Sequence, residues 1–165
     1  IAEMKVDVPM LAMTHCDAAK LSKQHGKKSE YALCASQWHK TLSYKDKFFG
    51  SGKKYDKDFT KEFGYAPPYQ AAESSAALLV YKDAFERANS FDTKKVRDAL
   101  AATDMQTFYG NIKFAPGGQN VSKPMVLFQV ICNKDGSSCE NKVVAPTKWA
   151  SAKLVHPVPS WSKRK

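Results

Sequence analysis

The apolar positions of this chain follow two spacings, and the chain switches between them several times. From Tyr69 to Ala88 it is rich in Ala and Leu and contains neither Gly nor Pro. Ala77, Val80, Tyr81, Ala84 and Ala88 recur at helical spacing, with Lys82, Asp83, Glu86 and Arg87 on a polar face, which predicts a long helix. Pro67 and Pro68 stand at its mouth, where a missing N–H removes no hydrogen bond. Asn89-Ser90 ends that helix, and Asp92 suits the N-cap of a shorter one with Val96, Ala99 and Leu100 as its buried stripe. Tyr109-Gly110 then turns the chain into a short strand, Asn111 to Phe114. Gly117-Gly118 turns it again toward Met125 to Ile131, an apolar run that reads as a buried strand.

The flanks use the same grammar. Residues 8–13 read as a strand, followed by a helix from about Asp17 to His25, a turn at Gly26-Lys27-Lys28, and a strand from Tyr31 to Cys34. Strand–helix–strand is the unit of a parallel sheet. Residues 39–53 read as a loop with a short helical turn, closing in Gly50-Ser51-Gly52. Tyr55 to Phe63 is amphipathic, with Phe59 and Phe63 one turn apart. Asp135-Gly136 signals a hairpin, after which come a strand from Val143 to Ala145 and a Pro-punctuated tail. There is no internal repeat.

Composition narrows the function classes. A chain of 165 residues can bury one sizeable core. The net charge of +10 gives solubility and a general attraction to anions. Its basic pairs are scattered, with the densest run at Lys163-Arg164-Lys165, and neither an RNA-binding aromatic signature nor zinc-finger spacing accompanies them. Specific nucleic-acid binding is therefore not expected. The four cysteines form no CxxC pair. Cys132 and Cys139 flank the hairpin turn, where a bridge is geometrically easy. Cys16 and Cys34 follow the two strands expected to be sheet neighbours, so a second bridge is open to them. Both pairings suit an oxidising compartment; four buried thiols is the alternative. No HExxH, GxSxG or Cys–His arrangement occurs, and Gly50-Ser51-Gly52-Lys53-Lys54 lacks the Walker spacing. His15, His25, His39 and His156 are too dispersed for a metal site. No catalysis, metal or cofactor is expected.

Taken in order, Gly64-Tyr65-Ala66-Pro67-Pro68-Tyr69, the long helix, Ser90-Phe91-Asp92, Lys95 to Leu100, Thr107-Phe108-Tyr109-Gly110-Asn111 and Gly117-Gly118-Gln119-Asn120 resemble the second half of type I periplasmic solute-binding proteins. These are the branched-chain amino acid receptors of ABC importers and their relatives. Weaker matches lie at Val8-Pro9-Met10-Leu11, at Trp38 with Tyr44-Lys45-Asp46, at Val144-Ala145-Pro146 and at Pro157 to Trp161. The resemblance implies an α/β fold of two Rossmann-like lobes joined by a hinge, with only the C-terminal half of the pattern present. Residues 1–36 would end the second lobe, 37–128 would belong to the first, and 129–165 would return to the second. Ile1-Ala2-Glu3-Met4 looks like the last turn of a helix that begins upstream.

The implied function is an extracytoplasmic receptor, periplasmic or secreted, that closes on an amino acid or similar small carboxylate or amide. Its expected partners are that ligand, ABC permease subunits and a missing N-terminal half of the same protein. Ligands of open α/β sheets sit beyond the carboxyl ends of the strands. By position, Thr14-His15-Cys16-Asp17 resembles the second-lobe loop that meets ligand. Asp17 is the acid available to an ammonium group, and it equally suits a helix N-cap. His15 has a hydrogen bond to offer a carboxylate. Trp38 stands where the chain should cross the hinge, as a pocket wall or as hinge packing. Tyr65 and Tyr69 flank the Pro pair, as cleft-facing rings or as packing beneath the helix. The competing reading is a cationic interaction protein that uses an inherited fold on anionic partners.

Overall fold

The computed structural model describes residues 1, 3–14, 18–123 and 125–164. In chain order its elements are β1 (Ala12–Thr14), α1 (Ala18–His25), β2 (Leu33–Ser36), β3 (Lys45–Asp46), β4 (Gly50–Ser51), α2 (Gly52–Phe63), α3 (Tyr69–Ala88), α4 (Thr93–Ala101), β5 (Asp104–Gln106), β6 (Asn111–Lys113), β7 (Val126–Cys132) and β8 (Cys139–Ala145). They fall into two compact units, one made of residues 1–36 with 125–165 and the other of residues 37–124.

The first unit is a four-stranded sheet in the order β1-β2-β7-β8. β1 and β2 are parallel, as the strand–helix–strand pattern predicts, and the other two pairings are antiparallel. Ala32, Cys34, Phe128 and Val130 form its core, with Met13 and both hairpin cysteines packed against them. β7 lies between β2 and β8, and both its faces are covered: Phe128 and Val130 on one side, the fully buried Gln129 on the other. A buried carboxamide needs partners. Gln129 donates from Nε2 to the carbonyls of Tyr31 (3.2 Å) and Val155 (3.1 Å), and its Oε1 accepts from the Val155 N–H (2.9 Å). The tail continues along the same unit, where Val158 N–H donates to the Pro9 carbonyl at 3.0 Å. Trp161 donates from its backbone N–H to Asp7 (2.8 Å) and from Nε1 to the Val6 carbonyl (2.9 Å), while Arg164 stacks 3.9 Å over its ring.

Several strand boundaries differ from expectation: the strand expected from Tyr31 to Cys34 runs from Leu33 to Ser36. The strand expected over residues 8–13 is only Ala12–Thr14, because Pro9 has no N–H to give a ladder and its carbonyl is taken by the tail. β8 begins four residues before the expected Val143, at Cys139. The polar stretch Cys139 to Lys142 carries no apolar signal, but the hairpin imposes its pairing with β7. The expected Cys132–Cys139 disulfide closes that hairpin. Cys34 is also disulfide-bonded; Cys16, the partner expected for it, lies outside the described residues.

The second unit is built on helices. Pro68 is the N-cap residue of α3, and Asn89 ends it in the left-handed conformation. The Asp92 carboxylate accepts from the Lys95 N–H at 3.0 Å and caps α4. Arg87 joins the two helices, donating to the Ala99 carbonyl (2.7 Å) and to Thr103 Oγ1 (3.1 Å). α2 starts at Gly52, three residues before the expected Tyr55, because the Ser51 hydroxyl accepts from the Lys54 N–H at 3.2 Å and caps it. Gly50 and Gly52 here serve the backbone. Gly50 has φ +70, and a Cβ on Gly52 would lie 3.0 Å from the Lys40 carbonyl oxygen. The loop expected over residues 39–53 contains the short ribbon β3–β4, and β5 pairs with β6 without having been predicted. In α3 the buried stripe is Ala72, Ala76, Leu79, Val80 and Ala84, whereas Ala77 and Tyr81 are exposed. An Ala- and Leu-rich helix is apolar nearly all round, so spacing alone does not choose its buried side.

Replacing both hairpin cysteines by serine is expected to lower stability by about 2–3 kcal/mol, the loop-closure entropy of so short a bridge. Asp92→Ala is expected to cost about 1 kcal/mol through loss of the cap. Denaturant unfolding of each variant against the parent checks both.

Candidate functional site

The second unit is organised around a nest of rings. Phe108 is wholly buried and stacks on Tyr55 with centroids 4.3 Å apart. Trp38 meets Tyr55 edge-on at 5.8 Å and Phe108 at 6.1 Å, and Phe49 closes the group at 5.0 Å from Phe108. Edge-to-face and offset stacking of this kind adds to the burial of the rings themselves. The Tyr55 hydroxyl keeps a partner in Ser75, 2.9 Å away on α3. Asp46 fixes the nest from outside. One carboxylate oxygen accepts the N–H groups of Phe48 (2.9 Å) and Phe49 (2.8 Å), and the other accepts that of Phe108 (2.7 Å). From this nest the rings run outward along α2, through Phe59 to Phe63 (4.4 Å) and Tyr65 (5.5 Å).

A second cluster lies at the start of α3. Tyr69 opens the helix and Glu73 follows one turn later. The Tyr109 ring is buried, and the Lys123 ammonium sits 4.2 Å over its centroid. Lys123 also donates to the backbone carbonyl of Gln37. It reaches there across Gly110, where a Cβ would run into the lysine side chain as it is placed. Burial pushes the Tyr109 hydroxyl pKa well up, with Glu73 and Tyr69 acting in the same direction. Burial also pulls the Lys123 amine from its ordinary 10.5 down to about 8, while Glu73 counters part of that fall. The cluster therefore concentrates a tunable amine, a proton-retaining phenol and a carboxylate in one place.

The expected site residues are distributed as follows. Thr14 ends β1 and is exposed, at the carboxyl end of a parallel strand. His15 and Asp17 lie outside the described residues. Trp38 is buried and meets the rings of Tyr55 and Phe108. Tyr65 is 57% exposed at the end of the ring series. Tyr69 is half-buried and joins the Glu73–Tyr109–Lys123 cluster. That cluster was not foreseen. Tyr109-Gly110 reads in sequence as a turn, and nothing in the spacing links it to Glu73 or Lys123. Among the described residues no group of His, Cys, Asp or Glu could hold a metal ion, and no helix is long and apolar enough to cross a membrane.

The periplasmic binding protein family model matches residues 2–137, most of the chain, and the chain belongs to that family. Its structure is similar to that of a leucine-binding protein from Thermotoga maritima, with TM-score 0.61 and 23% identity over 83% of this chain and 38% of that one. It is also similar to the isoleucine-bound branched-chain amino acid transporter substrate-binding protein of Streptococcus pneumoniae, with TM-score 0.57 and 16% identity over 76% of this chain and 34% of that one. A periplasmic binding protein from Burkholderia mallei gives TM-score 0.64 and 16% identity over 82% and 37%. These likenesses identify the fold as the type I periplasmic-binding fold. The chain spans little more than a third of the length of each of these structures.

The depressed amine makes a pH prediction with a definite sign. Between about pH 8 and 10 the folded protein has released the Lys123 proton while the unfolded chain still holds it. Stability rises with pH where the unfolded state binds more protons. Unfolding free energy of the parent relative to Lys123→Met is therefore expected to increase as pH is raised from 8 to 9.5. Parallel denaturant titrations measure that difference, and a flat difference counts against the burial of the amine.

Proposed function

We propose that this chain is part of an extracytoplasmic solute-binding receptor of an ABC importer, and that its ligand is an amino acid or a similar small carboxylate or amide. The observation that carries the reading is the family match running through both units, from residue 2 to residue 137. The leucine- and isoleucine-binding proteins of the same fold support the ligand class, and the Cys132–Cys139 bridge suits an oxidising compartment. In this reading residues 1–36 and 129–165 belong to the second lobe and residues 37–128 to the first.

The work done is binding, with no bond made or broken. The free receptor samples open and closed arrangements, and ligand favours the closed one because both lobes touch it only there. The closed form is what permease subunits would engage. Thr14, His15 and Asp17 are proposed to supply the second lobe's polar contacts, with Asp17 opposite an ammonium group. Tyr65 and Tyr69 are proposed to face ligand from the first lobe, on a floor held by Trp38 and the ring nest. A further part of the same protein is proposed to supply the remaining contacts, since the solved relatives are more than twice as long.

Titration of the intact native protein with leucine, isoleucine, valine and a wider amino acid panel, followed by Trp fluorescence, should show saturable binding. Silence across the panel from intact protein would sink the proposal. Tyr65→Ala is expected to weaken binding by about tenfold, or ~1.4 kcal/mol, with little change in unfolding midpoint because the ring is largely exposed.

A further inference from the structure

The first unit has a cavity at the amino ends of its parallel strands, away from the loop proposed to meet ligand. β1 and β2 run side by side, with Thr14 and Ser36 at their carboxyl ends. At their amino ends the chain comes in through residues 8–11 and 28–32. The tail is bonded to the same region: Val158 N–H donates to the Pro9 carbonyl, and Trp161 donates to Asp7 and to the Val6 carbonyl. These stretches, with the inner side of α1, bound a cavity of about 310 Å³. That is the low end of the range for small-molecule sites. Val8, Leu11, Met13, Leu21 and Val158 make its walls apolar.

One buried charge interrupts those walls. Glu30 lines the cavity and is only 8% exposed, yet among the described residues no cation pairs with it. Buried charges are ordinarily paired. Lys28 lines the same cavity but is exposed. Arg164 is engaged elsewhere, with Nε donating to the Pro159 carbonyl at 2.8 Å and the guanidinium 3.9 Å over the Trp161 ring. Tyr31, next to Glu30 and also in the lining, has φ +67, a conformation rarely adopted by a bulky residue. Its N–H donates to the Val130 carbonyl (2.8 Å) and its carbonyl accepts from Gln129 Nε2 (3.2 Å), which holds it there. Strain imposed in this way clusters at ligand sites. Burial, and then the Glu30 charge, push the Tyr31 hydroxyl pKa up, so the hydroxyl keeps its proton beside the carboxylate. We propose that this cavity is a further small-molecule site, taking a primary alkylammonium whose charged end meets the Glu30 carboxylate and whose short aliphatic body lies against the apolar walls. A carboxylate ligand would meet a buried charge of its own sign. A neutral apolar ligand would leave Glu30 without a cation.

Three probes of one shape separate these cases: isoamylamine, isoamyl alcohol and isovalerate, each titrated into the intact native protein and followed by NMR. Trp161 lines the cavity, whereas Trp38 and Trp149 do not. The amine should therefore move the Trp161 indole N–H resonance saturably and leave the other two indoles in place. It should bind about tenfold or more tightly than the alcohol, as expected for a hydrogen bond to a charged group, and isovalerate should leave Trp161 unmoved. Glu30→Gln should weaken the amine about tenfold and leave the alcohol unchanged. If Glu30→Gln does not fold, the comparison of amine with alcohol in the parent decides alone. Absence of saturable amine binding overturns the proposal, as does saturation that leaves Trp161 unmoved. Alcohol binding as tight as that of the amine reduces the cavity to apolar space and overturns it too. So does an unaltered amine affinity in folded Glu30→Gln. The site does not rest on the receptor reading, whose own test is the amino acid panel.

Discussion

The antiparallel pairing of β2 with β7 is the constraint on which the rest of the chain depends. Leu33 lies opposite Gln129 and Ser36 opposite Val126, so residues far apart in sequence are locked side by side. The core of the first unit, Cys34 against Phe128 and Ala32 against Val130, exists only when that pairing is made. Everything from Gln37 to Pro124 is thereby an insertion whose two ends leave from neighbouring strands. Loop-closure entropy grows only with the logarithm of loop length, about 0.6 kcal/mol per doubling. A compact insertion costs less still, because its own contacts already bring its ends together. Lys123 contributes directly to this, since its ammonium reaches the Gln37 carbonyl and so joins the last stretch of the insertion to its first residue.

That junction is held by an unusual means. The Lys123 ammonium rests on a ring face and a backbone carbonyl, with Glu73 only partly offsetting its loss of water. The Asp46 carboxylate is the opposite case. It accepts N–H groups from its own turn and from Phe108, and so ties the crossing segment to the ring nest. One anchor is fully satisfied and the other is stretched between burial and charge.

The parts of this architecture that were legible in the sequence are those with local causes. Pro67-Pro68 and Asp92 mark the starts of α3 and α4 because each acts on the backbone within a turn of itself. Asp135-Gly136 marks the β7–β8 hairpin for the same reason. The order of turns and helices between Gly64 and Asn120 was enough to suggest the family. What stayed hidden depends on distant partners. The polar start of β8 is a strand because β7 pairs with it, and β3, β4 and β5 are too short to carry a period. The buried side of α3 was misplaced because alanine and leucine occur on every side. The meeting of Tyr109 with Lys123 over Gly110 is created by the fold alone, and so could not be read beforehand.

The clasp between Gln129 and Val155 has a consequence in time rather than in energy. Gln129 is buried and satisfied only when Val155 arrives, and the first unit is then overlaid by Val158 and Trp161. A ribosome adds about 5–20 residues per second and domains tend to form in the order they emerge. The helical insertion, with its local contacts, can thus assemble while the sheet still waits for its central strand and its closing tail. Residues 155–161 are made after everything they clasp, so the first unit is completed later than the insertion it carries.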